Sequence, residues 1–141
     1  VALLSEHDEE ADQVRRTYRH LVVDEYQDVS PVQQRLVDLW LGDSHDVCVV
    51  GDPAQTIHSF AGARSSFLQD FPRRHPGTRR IELVRDYRST PQVVATANEV
   101  LRRSAEAHVT LVAQQPSGPT VQLEGAASEA AEAEAVAAWL A

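Results

Sequence analysis

Two short apolar runs, "HLVVDE" over residues 20–25 and "DVCVV" over residues 46–50, each break off into polar residues, with a complete helix signal between them. Ser30 can N-cap that helix, Pro31 can take its first position, and Val32, Leu36, Leu39 and Trp40 recur at helical spacing. Gly42 stands where a helix end needs a residue free to adopt positive φ. Strand, helix and strand of these lengths predict a right-handed βαβ unit with buried strands in a parallel sheet. The fold class is therefore α/β, a parallel sheet flanked by helices.

Other segments follow from pattern and punctuation. Residues 9–18 are polar with sparse apolar positions, which suits a surface helix. After a loop over 51–63 a helix is expected over about 64–74, closed by "HPG". "RRIELV" (79–84) is expected as a third strand, and Thr90–Pro91 opens a helix with Val93, Ala97, Val100 and Leu101 on one face. "QQPSGP" (114–119) is a turn or short linker, "TVQLEG" (120–125) a strand, and the Ala/Glu-rich stretch 127–141 a helix. No internal repeat is present.

Composition excludes several classes. No apolar run approaches a membrane span, and no charged and apolar leader pattern opens the chain. A lone cysteine, Cys48, excludes a disulfide framework and is expected as a buried strand thiol, in keeping with a reducing cytoplasm. The formal charge of −8 argues against wrapping a duplex by phosphate neutralisation but leaves room for a local nucleic-acid groove. The 13 cationic residues are all arginine, methionine is absent, and the chain starts at Val1, so it is expected to be a piece of a longer protein.

Ligands of open α/β sheets bind beyond the carboxyl ends of the strands. Three polar clusters fall there: Asp24–Glu25 with Gln27 and Asp28, Gly51–Asp52 with Gln55, and Arg85–Asp86–Tyr87–Arg88. An aspartate at a strand terminus can hold Mg²⁺ directly or through water, and a glutamate beside it can deprotonate an attacking water. A glutamine can contact a transferred phosphoryl group, and an arginine from a second domain can stabilise its charge. Each cluster also has a plain structural meaning. An Asp–Glu pair after an apolar run is more often a loop or cap, Gly51–Asp52 alone is a turn, and Phe60 is by default a core aromatic. The six histidines show no metal-ligand spacing.

Together these stretches resemble the superfamily 1 helicases of the UvrD/Rep/PcrA type. "VVDEYQD" (22–28) is similar to their Walker B motif, "VVGDPAQTIHSFAGA" (49–63) to motif III, and "LVRDYRSTPQVVATANEV" (83–100) to motif IV. Order and spacing agree across roughly residues 14–104. "DYRSTPQVVATAN" and the all-arginine composition look most like an actinobacterial UvrD-type paralogue. The resemblance implies a RecA-like P-loop NTPase motor core that uses ATP and Mg²⁺. Asp24 would bind the Mg²⁺ and Glu25 would be the catalytic base. Gln55 would sense the γ-phosphate, Arg88 would be an arginine finger, and Tyr87 would stack on adenine. Phe60 would stack on a base of single-stranded DNA, with His58 beside it.

Three departures stand out. Ala61 replaces the arginine usual after the motif III aromatic and His58 the usual tyrosine, and both bear on DNA contact rather than ATPase chemistry. Asp86 stands where asparagine is usual, beside the adenine contact. Moreover, a chain without lysine cannot contain the P-loop G-x-x-x-x-G-K-[ST].

The expected organisation is thus the C-terminal part of the first RecA-like domain over residues 1–84 and the start of the second over 85–141. The expected partners are single-stranded and duplex DNA and the remainder of the helicase chain, with no membrane. By family analogy the motor would move 3′ to 5′ on single strands in repair or replication. One rival is the motor of a recombination helicase–nuclease subunit. Another is a degenerate RecA-like scaffold, against which the presence of Asp24, Glu25, Gln55 and Arg88 together counts.

Overall fold

In the computed structural model, which describes residues 1–104 and 109–140, both apolar runs become strands. Strand β1 (Leu21–Val23) pairs in parallel with β2 (Val47–Val49), in the register Leu21↔Val47, Val22↔Cys48, Val23↔Val49. Ahead of them run helices α1 (Ala2–Glu6) and α2 (Asp8–Thr17), and helix α3 (Pro31–Leu41) joins the two strands. Its start is a capping box: Ser30 Oγ accepts from Gln33 N–H and Gln33 Oε1 accepts from Ser30 N–H at 2.9 Å. At its end Gly42 takes φ +55, where a Cβ would lie 2.8 Å from Arg15 Nε.

Contacts divide the chain into two units, Val1–Val84 with Leu101–Thr110, and Arg85–Val100 with Leu111–Ala141. The first has its core at the carboxyl end of β1. Tyr26, Val29 and Phe71 are buried there against Val23, Val47, Val49, Phe67 and Leu68. The Tyr26 and Phe71 rings meet edge to face at 5.7 Å, a favoured aromatic geometry. Burial raises the Tyr26 phenol above its usual pKa, so it stays a donor, and its hydroxyl bonds Gln34 Oε1 at 2.6 Å. Gln34 passes this bonding to Asp38 at 2.8 Å, and Arg74 pairs with Asp38 at 2.9 Å. No buried polar side-chain atom is left without a partner among the described residues.

Several expectations need correction. Neither strand is buried on both faces: Val22 is 74% exposed and its register partner Cys48 is exposed too. Only the face carrying Val23, Val47 and Val49 meets the core, so pleat alternation sends Val22 and Cys48 outward. In α3 the buried residues are Gln34 and Leu41, while Val32 of the expected stripe is exposed. The helix over about 64–74 is two short ones, α4 (Ser66–Gln69) and α5 (Phe71–Arg74). They break at Asp70, since Pro72 has no N–H to carry a helix through.

"RRIELV" forms no strand, and Ile81 and Leu83 are exposed. Residues 79–84 have no ladder partner among the described residues; pairing starts one step later, in strand β3 (Arg85–Asp86). In the second unit β3 pairs in parallel with β4 (Val112–Ala113), the register being Arg85↔Val112 and Asp86↔Ala113. Helix α6 (Pro91–Arg102) buries Val94, whereas Val93 and Val100 of the expected face are exposed. The Asn98 amide, on α6, bonds both backbone groups of Leu111, the residue before β4, at 2.9 and 3.0 Å. "TVQLEG" is not a strand, with Leu123 99% exposed, and helix α7 (Glu129–Leu140) follows it.

One group at the core of the first unit is expected to make its stability depend on pH. His75 stacks on Phe71 at 4.3 Å, and burial, reinforced by Arg74 and His45 and opposed by Asp38, lowers its pKa below the usual 6.5. A lowered folded pKa means that the unfolded chain binds more protons as the pH falls below 6.5, so stability declines in that window. Above it the contribution is fully present. Thermal melts are expected to show a midpoint falling below about pH 6.5, and His75→Gln is expected to flatten that fall.

Candidate functional site

Where β1 ends, the backbone does something costly. Glu25 adopts φ +51 and ψ +40, the left-handed region, and is the only non-glycine residue with positive φ among those described. For a residue with a Cβ this costs about 1–2 kcal/mol, and such outliers cluster where function needs a set geometry. Asp24 Oδ1 accepts from Glu25 N–H at 2.9 Å, which helps hold the kink. The following 3-10 turn, Tyr26–Asp28, sends Tyr26 into the core, and Tyr26 N–H donates to the carbonyl of Val50 at 2.9 Å. Both strand ends are thereby fastened together, leaving the Asp24 and Glu25 side chains at the surface.

A second connection is made by a side chain. Gln27 is fully buried, its Nε2 donating to Glu25 Oε2 at 2.6 Å and its Oε1 accepting from Asp52 N–H at 3.1 Å. Asp52 in turn caps the 3-10 turn Pro53–Gln55: Oδ1 accepts from Ala54 N–H at 3.0 Å and Oδ2 from Gln55 Nε2 at 2.9 Å. Gly51 admits this arrangement, because a Cβ there would lie 2.4 Å from Gln27 Oε1. Asp24, Glu25 and Gln55, singled out from sequence, are therefore brought together beyond the carboxyl ends of two parallel strands. Gln27 and Asp52, which do the joining, fall in the polar clusters read from sequence but carried no role there. A buried amide in a turn leaves no periodic signal, and Gly51–Asp52 carries only a turn signal.

His58 and Phe60 sit on the next loop. His58 N–H donates to Asp28 Oδ1 at 3.4 Å and Arg64 N–H to the Val29 carbonyl at 3.2 Å, so both loop ends are tied to the first acidic segment. Phe60, on the 3-10 turn Ser59–Ala61, is 87% exposed, against its default reading as core. His58 and Phe60 meet edge to face with centroids 5.8 Å apart. The outcome is an aromatic pair facing solvent.

Tyr87 and Arg88 belong to the second unit, in the turn that follows β3. Asp86 Oδ1 accepts from Arg88 N–H at 2.7 Å and from Ser89 N–H at 2.8 Å. These two backbone donors hold the Asp86 carboxyl below the usual carboxylate range. Gln115 Nε2 donates to the Tyr87 carbonyl, leaving both the Tyr87 ring and the Arg88 side chain exposed.

No cluster of three or more His, Cys, Asp or Glu able to hold a metal exists among the described residues. Mg²⁺ needs only one or two protein carboxylates and completes its shell with water and phosphate. Asp24, exposed at the strand terminus, would offer one such carboxylate. No helix among the described residues is long and apolar enough to cross a membrane.

Known proteins agree with the resemblance carried by the three motifs. Residues 1–76 match the family described as the UvrD/REP helicase N-terminal domain. ATP-dependent DNA helicase UvrD2 of Mycobacterium tuberculosis is 49% identical over 135 residues, which cover 93% of this chain and 19% of the relative. ATP-dependent DNA helicase UvrD1 of the same organism is 43% identical over 112 residues, covering 74% of this chain and 14% of the relative. The putative ATP-dependent DNA helicase YjcD of Bacillus subtilis is 33% identical over 93 residues, covering 66% and 12%. The chain thus spans less than a fifth of the length of these curated relatives. With more than half of its residues inside the matched domain, the chain belongs to the UvrD/REP helicase N-terminal domain family.

Proposed function

We propose that residues 1–141 supply part of the motor of an ATP-dependent DNA helicase or translocase that acts on DNA in the cytoplasm. The division of labour is residues 1–84 as part of a first RecA-like domain and residues 85–141 as the start of a second. The observation that carries the reading is the convergence of Asp24, Glu25 and Gln55 beyond the ends of β1 and β2, with Glu25 held in a left-handed conformation. A scaffold that had lost its chemistry would have no reason to keep that strain.

Asp24 would hold Mg²⁺, directly or through water, and the ion would offset the charge of the ATP phosphates. Glu25 would accept a proton from the attacking water, its carboxylate oriented by Gln27. Gln55 would touch the transferred phosphoryl group, and Arg88 would stabilise the charge that develops on it. Tyr87 would stack on adenine. His58 and Phe60 would meet a base of single-stranded DNA, which lets an acidic protein grip a strand locally without wrapping it.

The phosphate-gripping lysine must come from outside residues 1–141, because this stretch has none. Purified 1–141 is therefore expected to show no DNA-stimulated ATP hydrolysis; measurable turnover above a Glu25→Gln control would overturn the assignment. In the full-length protein, Phe60→Ala is expected to weaken single-stranded DNA binding by about 1–3 kcal/mol, with no sequence preference in the loss. Fluorescence anisotropy with oligonucleotides of different composition checks this. Unchanged affinity would remove Phe60 from the DNA contact.

A further inference from the structure

We infer that Gln27 is a positioning residue: one buried amide sets the Glu25 carboxylate and the Asp52–Gln55 turn relative to each other. The inference rests on the proposed reading of Glu25 as the base. Gln27 is fully buried, whereas Glu25 on one side and Gln55 at the end of its turn on the other are exposed. A buried amide must satisfy both its ends, and here each end serves one side of the site. Nε2 donates to Glu25 Oε2 at 2.6 Å, a charge-assisted bond of the stronger kind. Oε1 accepts from Asp52 N–H at 3.1 Å, and Asp52 bonds the Gln55 side chain at 2.9 Å.

Few side chains of this size could do the same. Glutamate in its charged form has no hydrogen for Glu25, and methionine bonds neither partner. The space is also cut to fit, since any Cβ at Gly51 would fall 2.4 Å from the Gln27 oxygen. Glu25 itself sits on a kinked backbone with a solvent-facing side chain, so little else restrains where its carboxylate points. Gln27 therefore supplies the orientation that the fold around Glu25 does not.

The test uses the full-length helicase that contains this segment. Gln27→Glu keeps the size and can still accept from Asp52 N–H, but offers Glu25 a second negative charge instead of a donor. DNA-stimulated ATP hydrolysis is expected to fall about 10- to 100-fold in kcat, as for a misplaced catalytic group, with the KM for ATP within about threefold. Binding of a fluorescent ATP analogue reads the same split without turnover. Lowering the pH should narrow the gap to wild type, because the introduced carboxyl, once protonated, regains a donor hydrogen. A purely structural role would make any rescue at low pH track a recovered melting temperature, whereas a positioning role changes kcat at unchanged folded fraction.

Wild-type kcat in a folded Gln27→Glu protein overturns the proposal, as does a loss that only follows the unfolded fraction. If that variant does not fold, Gln27→Met carries the test, because it keeps the length and brings in no charge but bonds neither Glu25 nor Asp52. The same kcat loss at kept KM is expected, and wild-type kcat there overturns the proposal equally. Glu25→Gln is measured alongside. If it is slow while Gln27→Glu is not, positioning alone falls; if Glu25→Gln turns over normally, the base reading falls and takes the positioning role with it. The double variant should be no slower than Glu25→Gln alone.

Discussion

Glu25→Gln in the full-length protein is expected to keep Mg-ATP binding and to lose about 10²- to 10⁴-fold in turnover, the usual worth of a positioned general base. The substitution isolates chemistry from structure. Glutamine has the same length and the same Cβ, so the φ of +51 costs it nothing extra. Its side-chain oxygen can still accept from Gln27 Nε2, and its N–H remains bonded to Asp24 Oδ1. What it cannot do is take a proton from water. Binding of a fluorescent ATP analogue and single-turnover hydrolysis separate the two properties. Turnover equal to wild type would refute the base assignment, and lost binding would mean that the carboxylate holds the nucleotide instead.

Arg88→Ala is expected to cost about 10³- to 10⁵-fold in hydrolysis, the range for an arginine that neutralises charge on a transferred phosphoryl group. Local structure argues that the change is clean. The Arg88 side chain is exposed, and its turn is held by the backbone N–H groups of Arg88 and Ser89 on Asp86, which alanine keeps. Unchanged melting behaviour with a collapsed rate is therefore the expected pair of results. Arg88→Lys should recover only part of the loss, since a point charge cannot reproduce the planar fork of guanidinium. A variant that hydrolyses ATP at the wild-type rate would remove Arg88 from the site.

Phe60 and Cys48 show where residue type misleads. Both belong to classes usually found inside, and both are exposed. Cys48 follows from strand alternation once only one face of the pair meets the core. Phe60 follows from its place on a one-turn helix ending at Gly62, φ +88, on the loop tied down by Asp28 and Val29. The exposed aromatic is what a stacking contact requires, so the exception to the composition rule falls at the proposed site of function.

Some of this protein is decided locally. Ser30, Pro31, Gln33 and Gly42 bound their helix through bonds to residues three or four positions away and through a positive-φ conformation that glycine adopts freely. Such signals survive in a bare sequence because their partners are written beside them. For the same reason the strand–helix–strand unit and the residues at its strand ends were legible in advance. The failed strands over 79–84 and 120–125 are the converse: an apolar run becomes a strand only when another chain segment offers a ladder, and none does among the described residues. Distance in sequence also hid the bridging role of Gln27. Its partners are Glu25, two residues away, and Asp52, which reaches it only because β1 and β2 pair in parallel. Residue types and their order determined which groups could do chemistry. Tertiary pairing decided which of them share a site, because hydrogen bonds and burial between distant segments exist only once the sheet has formed.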